Sequence, residues 1–433
     1  MILSKNILIT KFNKETFLYY SLISGGFISI SNTIHNLLNK GDIGKLPKEL
    51  IDYLKRNKFI ISGEINEKLH HYIERNENIE NKSDILSISI CPTSRCQFNC
   101  DYCGQIHTDN KIDSKTKNKI LDKLKNKLIL NSYNGLFISW FGSEPLLNIK
   151  SLKEISIELK KFCSNNKLSY TSCITTNGYL LTSKVFYELI DLNINSFQIT
   201  IDGNKQIHDN RRTLENNIGT FDTIYNNLQQ IVIDKRFDVN KHFINIRINI
   251  DERNYQKIYQ LLDLFIEDNI NKFIYITLAP IHNWENNANE LALSKSNFAS
   301  FEIKVFKYLL KNHFRFDILP DLKKSLCMAT KQDGELFDAL GNSYDCTELP
   351  YTEKGKETVR YNINDIPEKN KIVKTYNNWF NDLKDNKFPC SKCNLYPICG
   401  GSCPKHWYDG QIPCPSFKWN IEDRLKLYYK STL

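Results

Sequence analysis

From about residue 84 the sequence alternates strand-like and helix-like segments with a regular beat, and no other feature constrains the fold as much. Strands are expected at Ile85–Ile90, Leu136–Phe141, Tyr170–Thr175, Ser196–Ile201, Phe243–Ile250 and Phe273–Leu278. Amphipathic stretches separate them, among them Thr116–Leu128, Ser151–Phe162, Phe221–Ile233 and Tyr255–Phe265, and Phe298–Leu310 closes the series. Six β/α units in a row predict an α/β protein with a parallel sheet, either doubly wound or curled into a partial barrel.

At 433 residues the chain exceeds one ordinary domain. Residues 1–80 read as a small α+β module. Strand-like runs Ile7–Lys11, Phe17–Tyr20 and Phe27–Ile30 surround a Gly25-Gly26 turn, and helices follow at Ser31–Leu38 and Pro47–Arg56. The polar stretch Glu74–Ser83 reads as a linker into the repeating region, 84–312. From 313 to 433 the beat stops. That tail is rich in Cys, Pro and Gly, and with few long apolar runs it needs metal staples.

The net charge of +9 raises a nucleic-acid reading. Lys and Arg are scattered, however, as in Lys115–Lys127 where Asp122 interrupts them, so solvated helix faces are expected and no nucleic acid. The uncharged stretch Phe17–Asn32 is too short for a membrane span, and no signal peptide is visible. A cytoplasmic location follows as the expectation, and in a reducing compartment the thirteen cysteines read as metal ligands rather than disulfides.

Three of them form the loop after the first strand, Cys96-Gln-Phe-Asn-Cys100-Asp-Tyr-Cys103. Three thiolates at this spacing can hold a cubane cluster and leave one iron without a protein ligand, free for a small molecule. Zinc is the alternative, with His107 as a fourth ligand.

The spacing resembles that of the radical S-adenosylmethionine (radical SAM) superfamily, with Tyr102 as the aromatic before the third cysteine. Gly142-Ser143-Glu144-Pro145 ends the second strand and resembles that family's G-G-E-P motif, which hydrogen-bonds the cofactor's amino group; Ser143 replaces the usual second Gly. Thr176-Asn177 and Thr200-Ile201-Asp202 end the third and fourth strands, with His208-Asp209 and Arg211-Arg212 shortly after. Arg247 and Asn249 share one face of the fifth. Singly these are ordinary turns and caps. Together they all lie at strand C-termini, where (β/α) barrels build active sites.

The tail carries Cys327, Gly341 and Cys346, then Cys390, Cys393, Cys399, Cys403 and Cys414, and resembles the SPASM domain of radical peptide-modifying enzymes. That resemblance assigns Cys390, Cys393, Cys399 and Cys414 to one auxiliary [4Fe–4S] cluster. Cys327, Cys346 and Cys403 belong to a second, whose usual eighth cysteine is missing here. That cluster then has an open iron, a site for a substrate thiolate, or it borrows another ligand. Cys91, Cys163 and Cys173 are expected to serve packing.

The resemblance therefore implies a partial (β/α)6 barrel between an N-terminal module and a C-terminal iron–sulfur domain. It also implies three [4Fe–4S] clusters, S-adenosylmethionine and an electron donor such as ferredoxin or flavodoxin. Cys96, Cys100 and Cys103 would carry the chemistry. Tyr102, Gly142, Ser143, Glu144, Pro145, Thr176, Asn177, Thr200, Asp202 and Asn249 would bind the cofactor. The expected substrate is a ribosomally made precursor peptide, whose leader the front module either pairs with or merely sits beside as packing. Sulfatase maturation to formylglycine is the second reading. A zinc-stabilised binding protein is the reading from another class.

Overall fold

A computed structural model of the chain describes residues 1–62, 69–81, 83–282, 287–322, 327–365 and 374–433. Six parallel strands form its centre: β1 (Ile85–Ile90), β2 (Gly135–Trp140), β3 (Ser169–Thr176), β4 (Ile194–Thr200), β5 (Phe243–Ile250) and β6 (Ile274–Pro280). Each pairs with its neighbour in sequence. The crossovers hold α1 (Ser114–Leu130), α2 (Ile149–Asn165), α3 (Ser183–Ile190), α4 (Phe221–Val232) and α5 (Ile258–Glu267), with α6 (Lys295–Lys311) after β6. The strand order never reverses, which excludes the doubly wound alternative, and β6 does not close onto β1. The result is a partial barrel.

Alternation along β5 shows why the site lies inside. Ile244, Ile246, Ile248 and Ile250 are fully buried in the main core, while Arg247 and Asn249 point the other way into a polar interior. Gln198 and Thr200 of β4 also face that interior, whereas Phe197 and Ile199 belong to the core.

Two expectations about the flanks need correction. Residues 74–81 of the expected linker are helical, part of Leu69–Asn81; residue 82 lies outside the described residues. Tyr72 and Ile73 of that helix pack on Trp379, Phe380 and Leu383, so its short apolar stripe is satisfied by the tail and had no local partner to betray it. The tail, in turn, extends the central sheet. Its strand β7 (Glu335–Phe337) adds in parallel to β1, and a hairpin returns through Asn342–Tyr344. Gly341 makes that turn at φ +85°, where a Cβ would stand 2.7 Å from Ile363 Cγ2. A final helix, Phe417–Ser431, lies against α6 through a buried Arg424–Glu302 ion pair.

The front sheet is antiparallel, Ile7–Lys11 with Thr16–Ser21 with Phe27–Ser31. Its central strand sends Leu18 and Tyr20 toward Phe417, Ile421 and Leu425 of the last helix, and Tyr19 toward its own helices. Among the described residues no helix is long and apolar enough to cross a membrane.

Candidate active site

The loop after β1 is fixed by a short antiparallel ladder in which Phe98–Cys100 pairs with Arg212–Leu214. Cys96, Cys100 and Cys103 line a cavity of about 280 Å³ at the C-terminal mouth of the barrel. Thr176, Asn177, Thr200 and Asn249 line it as well, from the ends of β3, β4 and β5. Burial pushes the Cys96 and Cys100 thiols up to about 12 and raises Cys103 too. Burial thus disfavours the free thiolates, and a bound metal would favour them.

The surroundings fit a sulfur-rich cluster. Gln97 Nε2 and Arg212 Nε are buried donors without a protein acceptor, and Asn177 Nδ2 stands 3.9 Å from Cys96 Sγ. Phe98 N–H donates to the same sulfur at 3.5 Å. Among the described residues no three His, Cys, Asp or Glu side chains converge on one metal ion. His107 bridges Cys103 Sγ (Nε2, 3.7 Å) and Ser143 Oγ (Nδ1, 3.3 Å).

Tyr102 ties together residues far apart in sequence. Its hydroxyl donates to Asp202 Oδ2 (2.6 Å) and accepts from Asn249 Nδ2 (3.1 Å) and from Arg212 Nη1. Asn249 N–H donates in turn to Asp202 Oδ1 at 2.9 Å. Burial works against the Asp202 carboxylate, but Arg211 and Arg212 outweigh it and hold the group below the usual range. Asp202 thus stands behind the wall and orients Tyr102, which faces the cavity. His208 is fully buried and serves the same scaffold. Its Nδ1 accepts from Asp202 N–H and its Nε2 meets Thr220 Oγ1, and burial lowers it to about 3. Asp209 caps α4 by accepting from Thr220 and Phe221 N–H.

The Gly142–Pro145 turn divides in the same way. Gly142 and Ser143 line the cavity, both at positive φ (+78° and +41°). A Cβ on Gly142 would lie 2.4 Å from Cys91 Sγ, so the packing cysteine and the glycine define each other. Ser143 accepts a left-handed backbone that glycine would adopt without strain, and its N–H donates to Gln105 Oε1. Glu144 is fully buried behind the wall: Oε1 accepts from Thr176 Oγ1 (2.8 Å) and Leu146 N–H (3.0 Å), and Oε2 accepts from Asn177 N–H (2.7 Å). Pro145 opens the short helix beyond it.

Four tail cysteines, Cys390, Cys393, Cys399 and Cys414, line one small cavity with Tyr396 and Trp407. Cys346 and Cys327 pack in one cluster, and burial raises the Cys346 thiol, with Cys327 and Cys403 adding to the rise. Cys91 and Cys163 are fully buried and Cys173 partly so. Sequence reasoning missed Glu348 and Thr352, which reach the main cavity from the tail. Nothing in their local sequence marks them. Burial raises the Glu348 carboxyl, and Arg247 opposes that rise.

Residues 90–291 match the radical SAM superfamily. The chain is 23% identical over 329 residues to the radical SAM cyclopropyl synthase TigE of Paramaledivibacter caminithermalis, covering 63% of this chain and 67% of the relative. It is 26% identical over 384 residues to the cysteine-type anaerobic sulfatase-maturating enzyme of Clostridium novyi, covering 79% and 96%. Among solved structures, anSMEcpe with bound AdoMet and Cp18Cys peptide has a TM-score of 0.61 at 16% identity, over 80% of this chain and 99% of that one. Streptococcus suis SuiB bound to precursor peptide SuiA has a TM-score of 0.50 at 13% identity, over 96% and 98%. At such identities the structural likeness is one of fold. The sequence match, the partial barrel and the three-cysteine loop agree: this chain carries a radical SAM domain, the domain that works with a [4Fe–4S] cluster and S-adenosylmethionine.

Proposed function

We propose that this enzyme modifies a ribosomally made precursor peptide, forming a thioether or carbon–carbon cross-link. The carrying observation is the cavity itself. Cys96, Cys100 and Cys103 line it from the barrel, while Glu348, two residues beyond Cys346, lines it from the tail. A substrate there would meet the radical site and the tail segment that follows Cys346 together.

When bound, the cluster and S-adenosylmethionine supply a 5′-deoxyadenosyl radical that removes a hydrogen atom from the substrate. The chain's residues bind and orient. Cys96, Cys100 and Cys103 would hold the cluster. Tyr102, Gly142, Ser143, Thr176, Asn177, Thr200 and Asn249 would face the cofactor, with Glu144, Pro145 and Asp202 fixing them from behind. Cys390, Cys393, Cys399 and Cys414 would hold one auxiliary cluster. Cys327, Cys346 and Cys403 would hold the other, leaving a position for a substrate thiol. We assign residues 1–80, 84–312 and 313–433 as front module, barrel and cluster domain. We place the protein in the cytoplasm, served by a ferredoxin or flavodoxin.

Two of the structural relatives are bound to peptides, anSMEcpe to Cp18Cys peptide and SuiB to precursor peptide SuiA. The SuiB likeness runs over 96% of this chain and so takes in most of the front module. Both outer strands of the front sheet lack a further strand partner among the described residues, which suits a leader adding a strand. Sulfatase maturation is the second reading, favoured by the match over 96% of the Clostridium novyi enzyme. The front module and the missing eighth cysteine count against it.

Anaerobically reconstituted protein should hold about twelve iron atoms, the content of three cubane clusters. With reductant and S-adenosylmethionine it should release 5′-deoxyadenosine, and Cys100→Ala should not. Offered a short peptide encoded beside its gene and a cysteine-containing sulfatase peptide, it should change the mass of the former. Conversion of the sulfatase peptide alone would replace the first reading with the second.

A further inference from the structure

Arg212 is the cationic side chain best placed to act on the cluster, and three independent observations converge on it. In the antiparallel ladder Arg212 is directly opposite Cys100, and directly opposed residues project from the same face. Its neighbour Arg211 is turned to Asp251, with Nη2 at 3.1 Å from Oδ2. Arg212 lines the cavity with the three cysteines although only 7% of it is exposed. Finally, its Nε has no acceptor, and among the described residues the one hydrogen bond of its guanidinium is Nη1 to the Tyr102 hydroxyl.

No carboxylate among the described residues lies within ion-pair distance of this guanidinium. The carboxylate it reaches, Asp202, is separated from it by the Tyr102 hydroxyl. A buried cation held this way is costly unless an anion completes its surroundings. Three thiolates around a cluster supply that anion, and one-electron reduction adds a further negative charge to it. The guanidinium carbons of Arg211 and Arg212 stand 5.1 and 5.9 Å from the centroid of the Tyr102 ring, and this contact with the hydrogen bond to the hydroxyl holds Arg212 against swinging away.

We propose that Arg212 is the electrostatic partner of the cluster held by Cys96, Cys100 and Cys103, and that its fixed positive charge makes that cluster easier to reduce. Net charge and donors beside the sulfurs are among the terms that set such potentials. The inference rests on the cluster assignment but not on the nature of the substrate.

The test is a potentiometric titration, followed by electron paramagnetic resonance, of the reconstituted full chain. The signal to follow is the one that S-adenosylmethionine perturbs. Arg212→Met and Arg212→Gln should reduce the ratio of reduced to oxidised cluster at fixed potential at least tenfold, about 59 mV for a one-electron couple. Arg212→Lys should stay near the parent, and the tail clusters should not move in any variant. If both neutral variants lose this cluster while Arg212→Lys keeps it, the charge is again what the site requires. An unchanged midpoint in a neutral variant overturns the proposal, as does loss of the cluster in all three, which marks a merely structural role. Iron content of the parent protein judges the cluster assignment separately.

Discussion

Glu144→Gln separates a carboxylate that touches the cofactor from one that holds the wall in place. In the parent protein both oxygens are occupied, by Thr176 Oγ1 and Leu146 N–H on one and Asn177 N–H on the other. Glutamine keeps one carbonyl oxygen and sets an NH2 group against a donor. One charge-assisted bond is lost, worth about 1.5–3 kcal/mol, and one buried donor is left unsatisfied at about 1–3 kcal/mol. Part of this returns, because burial raises the Glu144 carboxyl and the neutral amide escapes that desolvation. A net destabilisation of roughly 2–4 kcal/mol remains. Anaerobic thermal unfolding of reconstituted protein should show it. Binding of S-adenosylmethionine by equilibrium dialysis should weaken roughly ten- to a hundredfold, the usual scale for a residue that orients a ligand-binding neighbour. Unchanged stability together with abolished binding would refute this reasoning, since a group in direct contact with the cofactor and idle in the fold gives that pattern.

His208 should make stability depend on acid. Burial lowers it to about 3 from an ordinary 6.5, so the unfolded chain binds a proton that the folded chain refuses, and stability falls as pH drops below 6.5. Between pH 6.5 and 5 the loss should reach about 2 kcal/mol, and denaturation curves of His208→Gln should lack that component; parallel curves for both proteins would reject it. Gly142→Ala should cost about 2–5 kcal/mol, from left-handed backbone and overpacking together. Adding Cys91→Ala should recover the overpacking part, because the clash is with Cys91 Sγ at 2.4 Å, and strictly additive penalties in the double variant would contradict the packing. Cys346→Ala should remove about four iron atoms from reconstituted protein and leave the Cys390, Cys393, Cys399 and Cys414 site filled. Full iron content in that variant would break the assignment of the first tail set.

Where the sequence was legible, each signal was local. Phe243–Ile250 is read to the residue because its isoleucines alternate with Phe243, Asn245, Arg247 and Asn249, a period that only a strand with two unlike faces produces. Cys96, Cys100 and Cys103 needed no tertiary information either, since one loop carries all three. The division between residues that face the cavity and residues that stand behind it was not legible. Glu144 and Asp202 occupy motif positions just as Ser143 and Thr200 do, and which of them points inward depends on partners far along the chain: Thr176 and Asn177 for one, Tyr102 and Asn249 for the other. The helix Leu69–Asn81 stayed hidden for a related reason, because its apolar residues answer to Trp379 and Phe380. β7 was missed because Glu335-Leu-Phe337 is too short to show any period.

The incomplete barrel and the tail then have one physical explanation. A six-stranded sheet that does not close leaves β1 with a row of free backbone groups, a hazard in any exposed sheet. β7 covers that edge, and in doing so anchors the segment that brings Glu348 and Thr352 to the cavity. The opposite edge, β6, has among the described residues only an isolated bridge, to Arg315 through Tyr275, and its end contributes Pro280, Ile281 and His282 to the same cavity. The cavity is therefore bounded by barrel strand ends on one side and by tail loops on the other, so the wall that meets the substrate is assembled from both regions. Variation in the tail around Glu348 and Thr352 can alter which substrate is accepted while the cysteine loop and the Tyr102–Asp202–Asn249 scaffold stay as they are. Glu348→Gln should accordingly change selection among peptides and leave 5′-deoxyadenosine release without peptide near the parent rate; equal loss of both would place Glu348 in the cofactor scaffold instead.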